Sequence, residues 1–146
     1  MALFAEALNK ARHSEEGLRI LEEALALTHR NGERYYQAEL FRLKGELILE
    51  QSTNRALGVR DQPDTTATAE VCFNESIKIA QLQKAQSLEL RAVTSMARLY
   101  QNEGRQEEAR RLLAQIYGRF SEGFDTADLR GAKALLDDLS QPSAYV

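Results

Sequence analysis

The sequence predicts an all-α fold of stacked antiparallel hairpins, and three observations carry that expectation. Apolar residues recur at three- and four-residue spacing along nearly the whole chain, the pattern of helices with one buried face. Leu, Ala, Glu, Arg and Gln dominate, with only two prolines and no tryptophan, a composition that favours helix over strand. A third signal is internal: the chain laid over itself at an offset of 52 residues matches small residues to small and bulky to bulky. At 146 residues the chain is long enough to bury one core, and a single unit over residues 1–140 is expected.

The elements follow in order. Ala2 to Arg12 carries Leu3, Phe4, Ala7, Leu8 and Ala11 on one side, predicting a first helix. Ser14 before Glu15 and Glu16 reads as a cap followed by acids at the positive end of the helix dipole. That second helix stops near Asn31-Gly32, with His29 and Arg30 in its last turn. A third covers Glu33 to Gln51, and Ser52 to Thr65, containing Gly58 and Pro63, reads as an inserted loop. The fourth helix then runs to about Lys84, the fifth spans Gln86 to Glu103, and Gly104 separates it from a sixth over Arg105 to Phe120. A turn ending in Asp125 or Thr126 caps a final helix built on Leu129, Ala132, Leu135, Leu136 and Leu139. Residues 141–146 read as a flexible tail.

The offset copies explain why alanines flank a glycine in SMARLYQNEGRQEEARRLL. Gly17 matches Ala69, Leu21 matches Phe73, Ala24 matches Ser76, Gly45 matches Ala97, Leu47 matches Leu99 and Ile48 matches Tyr100. Ala109, Leu113 and Ile116 give a third copy of the small-then-large pattern. Small residues at fixed places on two helices let their backbones approach, and Gly104 makes the turn between them. The aromatics Tyr36, Phe41, Phe73, Tyr100 and Tyr117 fall beside aliphatics and are expected in packing; Tyr35 points elsewhere.

This arrangement resembles the tetratricopeptide repeat. Ala97, Tyr100, Gly104, Ala109 and Leu113 follow that family's helix-pair pattern, with Ile116 where a final alanine is usual. Gly45, Ile48, Ala69, Phe73 and Ser76 follow it across the inserted loop, and Ala5, Leu8, Gly17, Leu21 and Ala24 form a first copy. Arg12 stands where the first turn glycine belongs, and the closing proline is missing from all copies. More narrowly, GERYYQAELFRLKGELIL, SLELRAVTSMARLY and EGFDTADLRGAKALLDDL look like the C-terminal repeat region of large bacterial predicted ATPases and cyclase-type regulators. No G-x-x-x-x-G-K-[ST] stretch is present, so the ATPase itself is not expected. The resemblance implies a superhelix of about seven helices: three hairpins plus a C-terminal capping helix.

Composition narrows the functions. Net charge is −3, so the chain as a whole does not attract nucleic acid or anionic lipid. The basic run RQEEARRLLAQIYGR is interleaved with Glu107 and Glu108, and neither nucleic acid nor membrane is expected as a partner. A single cysteine, Cys72, forms no intrachain disulfide and fits a reducing cytoplasm; beside Phe73 it reads as structural. The N-terminus shows no signal-peptide pattern and no run reaches membrane-spanning length. His13 and His29 lack the Glu-x-x-His pairing of metal bundles, and adjacent acid pairs such as Glu15-Glu16, Glu22-Glu23 and Asp137-Asp138 diverge around their helices. Neither catalysis, nor a metal, nor a cofactor is expected.

The resemblance implies instead a concave surface that grips a peptide or helix from a protein partner. Carried over residue by residue, its lining is Glu39, Arg42, Glu46, Leu49 and Glu50 on one hairpin and Arg91, Thr94, Arg98, Gln101 and Asn102 on the next. Glu6, Asn9 and Lys10 represent the first copy. Two readings of the charges compete. In one, Arg91 and Arg98, seven residues apart and so on one face, receive an acidic side chain or a peptide carboxylate. In the other, which is preferred, the same offset sets Glu39 beside Arg91 and Glu46 beside Arg98, and these neutralise one another as ion pairs worth under about 1 kcal/mol each. A different role is also open: Leu3, Phe4 and Leu8 on the first helix lack a cover, which suggests packing on a larger protein or in a homodimer. A small-molecule sensor with a pocket between repeats is the third alternative.

Overall fold

Helices answer to the periodicity throughout the described part of the chain. The computed structural model describes residues 14–31, 36–55 and 63–140, and among them it contains six helices and no strand. These are α1 (Ser14–Asn31), α2 (Gln37–Arg55), α3 (Pro63–Leu82), α4 (Gln86–Asn102), α5 (Gln106–Tyr117) and α6 (Ala127–Ser140). The fold class is all-α. The expected first helix, and with it Glu6, Asn9 and Lys10, lies outside the described residues, as does the tail.

Several boundaries differ from expectation. The helix expected over Glu33 to Gln51 begins at Gln37 and continues to Arg55, while the next begins at Pro63. Residues 52–55 and 63–65 of the expected loop are thus helical, and residues 56–62 lie outside the described residues. Polar residues 52–55 carry no breaker, so the helix propagates through them. Proline fits the first helical position, where its missing N–H would have no intrahelical partner anyway. Tyr36, expected in packing, is 43% exposed.

Each helix packs on its chain neighbours, and alternate helices also touch: α2 meets α4, and α4 meets α6. This contact order defines two layers, with α2, α4 and α6 side by side in one. The core is correspondingly divided. Leu21, Ala24, Leu40, Leu43 and Leu47 join α1 to α2. Phe73 and Ala69 of α3 pack with Met96 and Leu99 of α4, and Ile48 and Leu49 of α2 cover that group. Ala97, Ala109, Leu113 and Ile116 continue the core from α4 to α5, and Leu129, Ala132, Leu135 and Leu139 extend it into α6.

The offset copies bury alike. Gly17 and Ala69, Leu21 and Phe73, Ala24 and Ser76, Gly45 and Ala97, and Leu47 and Leu99 are all buried, while Ile48 and Tyr100 are both partly exposed. Small residues stand where helices come closest. A Cβ built on Gly45 would lie 2.5 Å from Cε1 of Phe73, so the ring rests on the backbone of α2. Higher on the same contact, the buried Ser76 hydroxyl donates to the Ala38 carbonyl at 2.5 Å. That bond satisfies a hydroxyl that would otherwise be orphaned in the interface.

The α3–α4 and α4–α5 turns share one hydrogen-bond pattern. Ala85 N–H donates to Ala80 O at 2.9 Å and Lys84 N–H to Gln81 O at 3.1 Å. Arg105 N–H donates to Tyr100 O at 2.8 Å and Gly104 N–H to Gln101 O at 3.1 Å. Both are Schellman ends, which need one residue in the left-handed region. Gly104 supplies it at φ 80°, but in the other turn Lys84 does so at φ 56°. Neither α4 nor α5 has a side-chain cap, and acids in the first turn, Glu89 in α4 and Glu107 and Glu108 in α5, face the positive helix ends instead.

Two stability outcomes follow from these contacts. Gly45→Ala adds a methyl where a fully buried ring already sits, costing about 1–3 kcal/mol of overpacking, partly offset by roughly 1 kcal/mol of helix propensity. Denaturant unfolding should show a net loss of up to about 2 kcal/mol. Lys84→Gly relieves a left-handed lysine and should stabilise by about 0.5–1 kcal/mol, whereas Gly104→Ala should destabilise by about 1 kcal/mol although nothing crowds its side. Equal and same-sign effects from the two turn substitutions would contradict this account.

Candidate functional site

The layer of α2, α4 and α6 brings ten expected residues onto one face or its rim, and it divides the charged ones into paired and open groups. At one end the face is closed by a network. Glu39 of α2 accepts from Nε of Arg42 one turn on, at 3.1 Å and 3.2 Å, and lies 3.5 Å from Nη1 of Arg91 across on α4. Arg91 turns its Nε to Asp128 of α6 at 2.9 Å. The hydrogen bond to Asp128 is the main cause that holds the Arg91 guanidinium above its ordinary range, with Glu39 adding to it. Arg42 also reaches the buried Ser95 hydroxyl of α4 at 3.4 Å. Glu39 and Arg91 therefore meet as the repeat offset requires.

The second expected pair does not form. Glu46 lies 3.9 Å from Arg42 on its own helix, and Arg98 makes no hydrogen bond or ion pair with any described residue. Its side chain is exposed on α4. Arg98 instead borders two hollows. One, of about 490 Å³, lies between α2 and α4 and is lined by Glu46, Leu49, Glu50, Leu99 and Asn102 along with Arg42 and Ser95. The other, of about 200 Å³, opens toward α6 beside Thr94, Asp128 and Gly131. Between α2 and α4 the polar contacts thus join Glu39 and Arg42 to Arg91 and Ser95, while the gap beside Glu46, Glu50 and Arg98 stays open.

The remaining expected residues have local roles. Thr94 is buried, and its hydroxyl donates to the Leu90 carbonyl at 2.7 Å. Gln101 donates to Asp138 of α6 at 2.7 Å, so it fastens α4 to α6. Asn102 sits exposed at the end of α4. Sequence reasoning missed Ser95, Asp128 and Asp138. The signal for the two acids was a second offset: Arg91 to Asp128 and Gln101 to Asp138 are each separated by 37 residues. A search at the 52-residue offset passes over it, because α5 has 12 residues where α3 has 20, which shortens the spacing from α4 to α6.

Other polar clusters bind the helices to one another. Glu89, only 6% exposed, accepts from Gln81 of α3 at 3.0 Å and from Arg119 beyond α5 at 3.3 Å. The Tyr100 hydroxyl donates to Glu70 at 3.1 Å, and the Arg105 guanidinium lies 3.9 Å over its ring. Cys72 is buried on α3. Burial pushes its thiol up, with the Lys44 charge pulling the other way to a lesser degree. Among the described residues no group of three His, Cys, Asp or Glu is placed to hold a metal, and no helix is long and apolar enough to cross a membrane.

No family model, curated protein or solved structure matches the chain.

The Cys72 environment gives a direct check. A thiol with a raised pKa carries less thiolate at pH 8 than free cysteine does, and burial also blocks access. Reaction of the native protein with a thiol-exchange dye should be slow and should accelerate by orders of magnitude in denaturant. Rapid labelling of the native chain would place Cys72 in a different environment.

Proposed function

We propose that the chain is a tetratricopeptide-like repeat module that binds a protein partner, as a peptide or helix, across the face of α2, α4 and α6. The alternation of touching helices supports a superhelical stack with α6 as its capping helix. So does the offset of 37 residues between α4 and α6, near the repeat's period of about 34. The reading needs no catalytic step, metal or cofactor, and it suits a cytoplasmic regulatory protein.

One observation carries it. Among the described residues Arg98 is an unpaired cation beside an open hollow, whereas Arg42 and Arg91 on the same face are neutralised by Glu39 and Asp128. An exposed, unneutralised guanidinium is suited to a charge-assisted, bidentate bond with a carboxylate brought by a partner. The paired arginines hold helices together; Arg98 is left for something else. A homodimer through Leu3, Phe4 and Leu8 would rest on residues outside those described, so the groove is the preferred reading.

Selection of random twelve-residue peptides displayed on phage tests it. Peptides enriched on the native protein should contain an acidic residue or a free C-terminal carboxylate, and Arg98→Glu should weaken them by about tenfold or more. Arg111→Glu on α5, in the other layer, should leave binding unchanged. Selected peptides indifferent to Arg98→Glu would remove the groove reading.

A further inference from the structure

The open gap between α2 and α4 has two walls of opposite charge. On α2, Glu46 is about half-exposed and Glu50 is exposed, and Glu50 makes no ion pair with a described residue. Across from them Arg98 on α4 has no ion pair with a described residue, and the neutral Asn102 lies one turn further on. Leu49 and Leu99 line the same gap. Glu50 and Arg98, uncombined among the described residues, and Glu46, held only by a 3.9 Å contact to Arg42 on its own helix, form a dipolar site with an apolar component.

We infer that the occupant is a partner segment of mixed charge: a carboxylate against Arg98, a lysine or arginine against Glu46 and Glu50, and an apolar side chain between them. This rests on the groove reading above and specifies its ligand. The exclusions are as informative as the attractions. A run of acids would set its second charge against Glu46 or Glu50, and a phosphate-rich polymer would do the same along its length, so both are repelled by α2. A purely basic segment meets Arg98. An uncharged apolar segment would strip water from all three charges without replacing it. Only a ligand carrying both signs, in the order fixed by the two walls, satisfies every group.

The α2 wall is also what distinguishes this gap from the neighbouring hollow. There Arg91 already has both its acids, Glu39 and Asp128, so the second hollow offers a partner no unsatisfied charge other than the shared Arg98. The specificity of the face therefore lies in the Glu46, Glu50 and Arg98 triangle.

The test measures fluorescence anisotropy of labelled synthetic peptides taken from the phage selection, against the native protein and two α2 variants. Peptides that bind should carry an acid, an apolar residue and a base. Glu50→Lys should weaken them by roughly fivefold and the double variant Glu46→Lys/Glu50→Lys by roughly thirtyfold. Replacing the peptide's base by glutamate should abolish binding to the native protein and restore it on the double variant. Circular dichroism shows whether the variants are folded; Glu50→Lys, at an exposed site with no ion pair to a described residue, keeps the comparison valid should the double variant unfold. Peptides that depend on Arg98 but ignore Glu50→Lys would overturn the mixed-charge ligand while leaving the groove reading intact. Absence of any peptide binding would overturn both. Binding of free leucine with the same dependence on Arg98 and Glu50, but not of peptides, would replace a protein segment by a small zwitterion.

Discussion

The ring of Phe73 resting on the bare backbone of Gly45 is the contact on which the rest of the structure depends. Phe73 belongs to α3, yet it packs at once against Gly45 of α2 and against Met96 and Leu99 of α4. One rigid side chain, fully buried, thus sets the distance of two helices from a third. Those two helices, α2 and α4, are the walls of the open gap. The separation that leaves Arg98 beyond reach of Glu46 is consequently governed from the opposite layer, by packing rather than by the charges themselves. Aromatic bulk against glycine is well suited to this, because neither partner has a soft degree of freedom to absorb a change.

Electrostatics then act on a frame already fixed. Where packing holds α2 and α4 close, Glu39 meets Arg91, Arg42 meets Ser95, and the charges are satisfied within the protein. Each such exposed pair contributes little, under about 1 kcal/mol, so they serve to set register more than to hold the stack. Asp128 and Asp138 extend the same fastening from α4 to α6. Where packing leaves space, Glu50 and Arg98 remain uncombined among the described residues. A single face thereby provides both a structural network and a candidate recognition site, separated by only two helical turns of α4.

Much of this was legible as pattern. The burial class of each offset pair followed the size match, because a repeated environment selects a repeated volume. Gly104 at its turn, Cys72 in the core and Glu39 beside Arg91 were likewise placed correctly by local rules and one offset. Lys84 was not, since a lysine carries no sign that a Schellman end has forced it to positive φ. Residues 52–55 were read as loop because they are polar, yet nothing in them breaks a helix that has already begun.

What the sequence determined by itself was the helical class, the succession of elements and the identity of the close-approach positions, all of which depend on neighbours within a few residues or on a repeated template. Only the tertiary structure decided which charges meet. Glu39 with Arg91 and Glu46 with Arg98 are indistinguishable at the level of the offset, seven residues apart on the same two helices. One pair closes and the other does not, because an ion pair requires side chains within a few ångströms of each other. That distance is set by how the helices lie against a third element, which no spacing along the chain records.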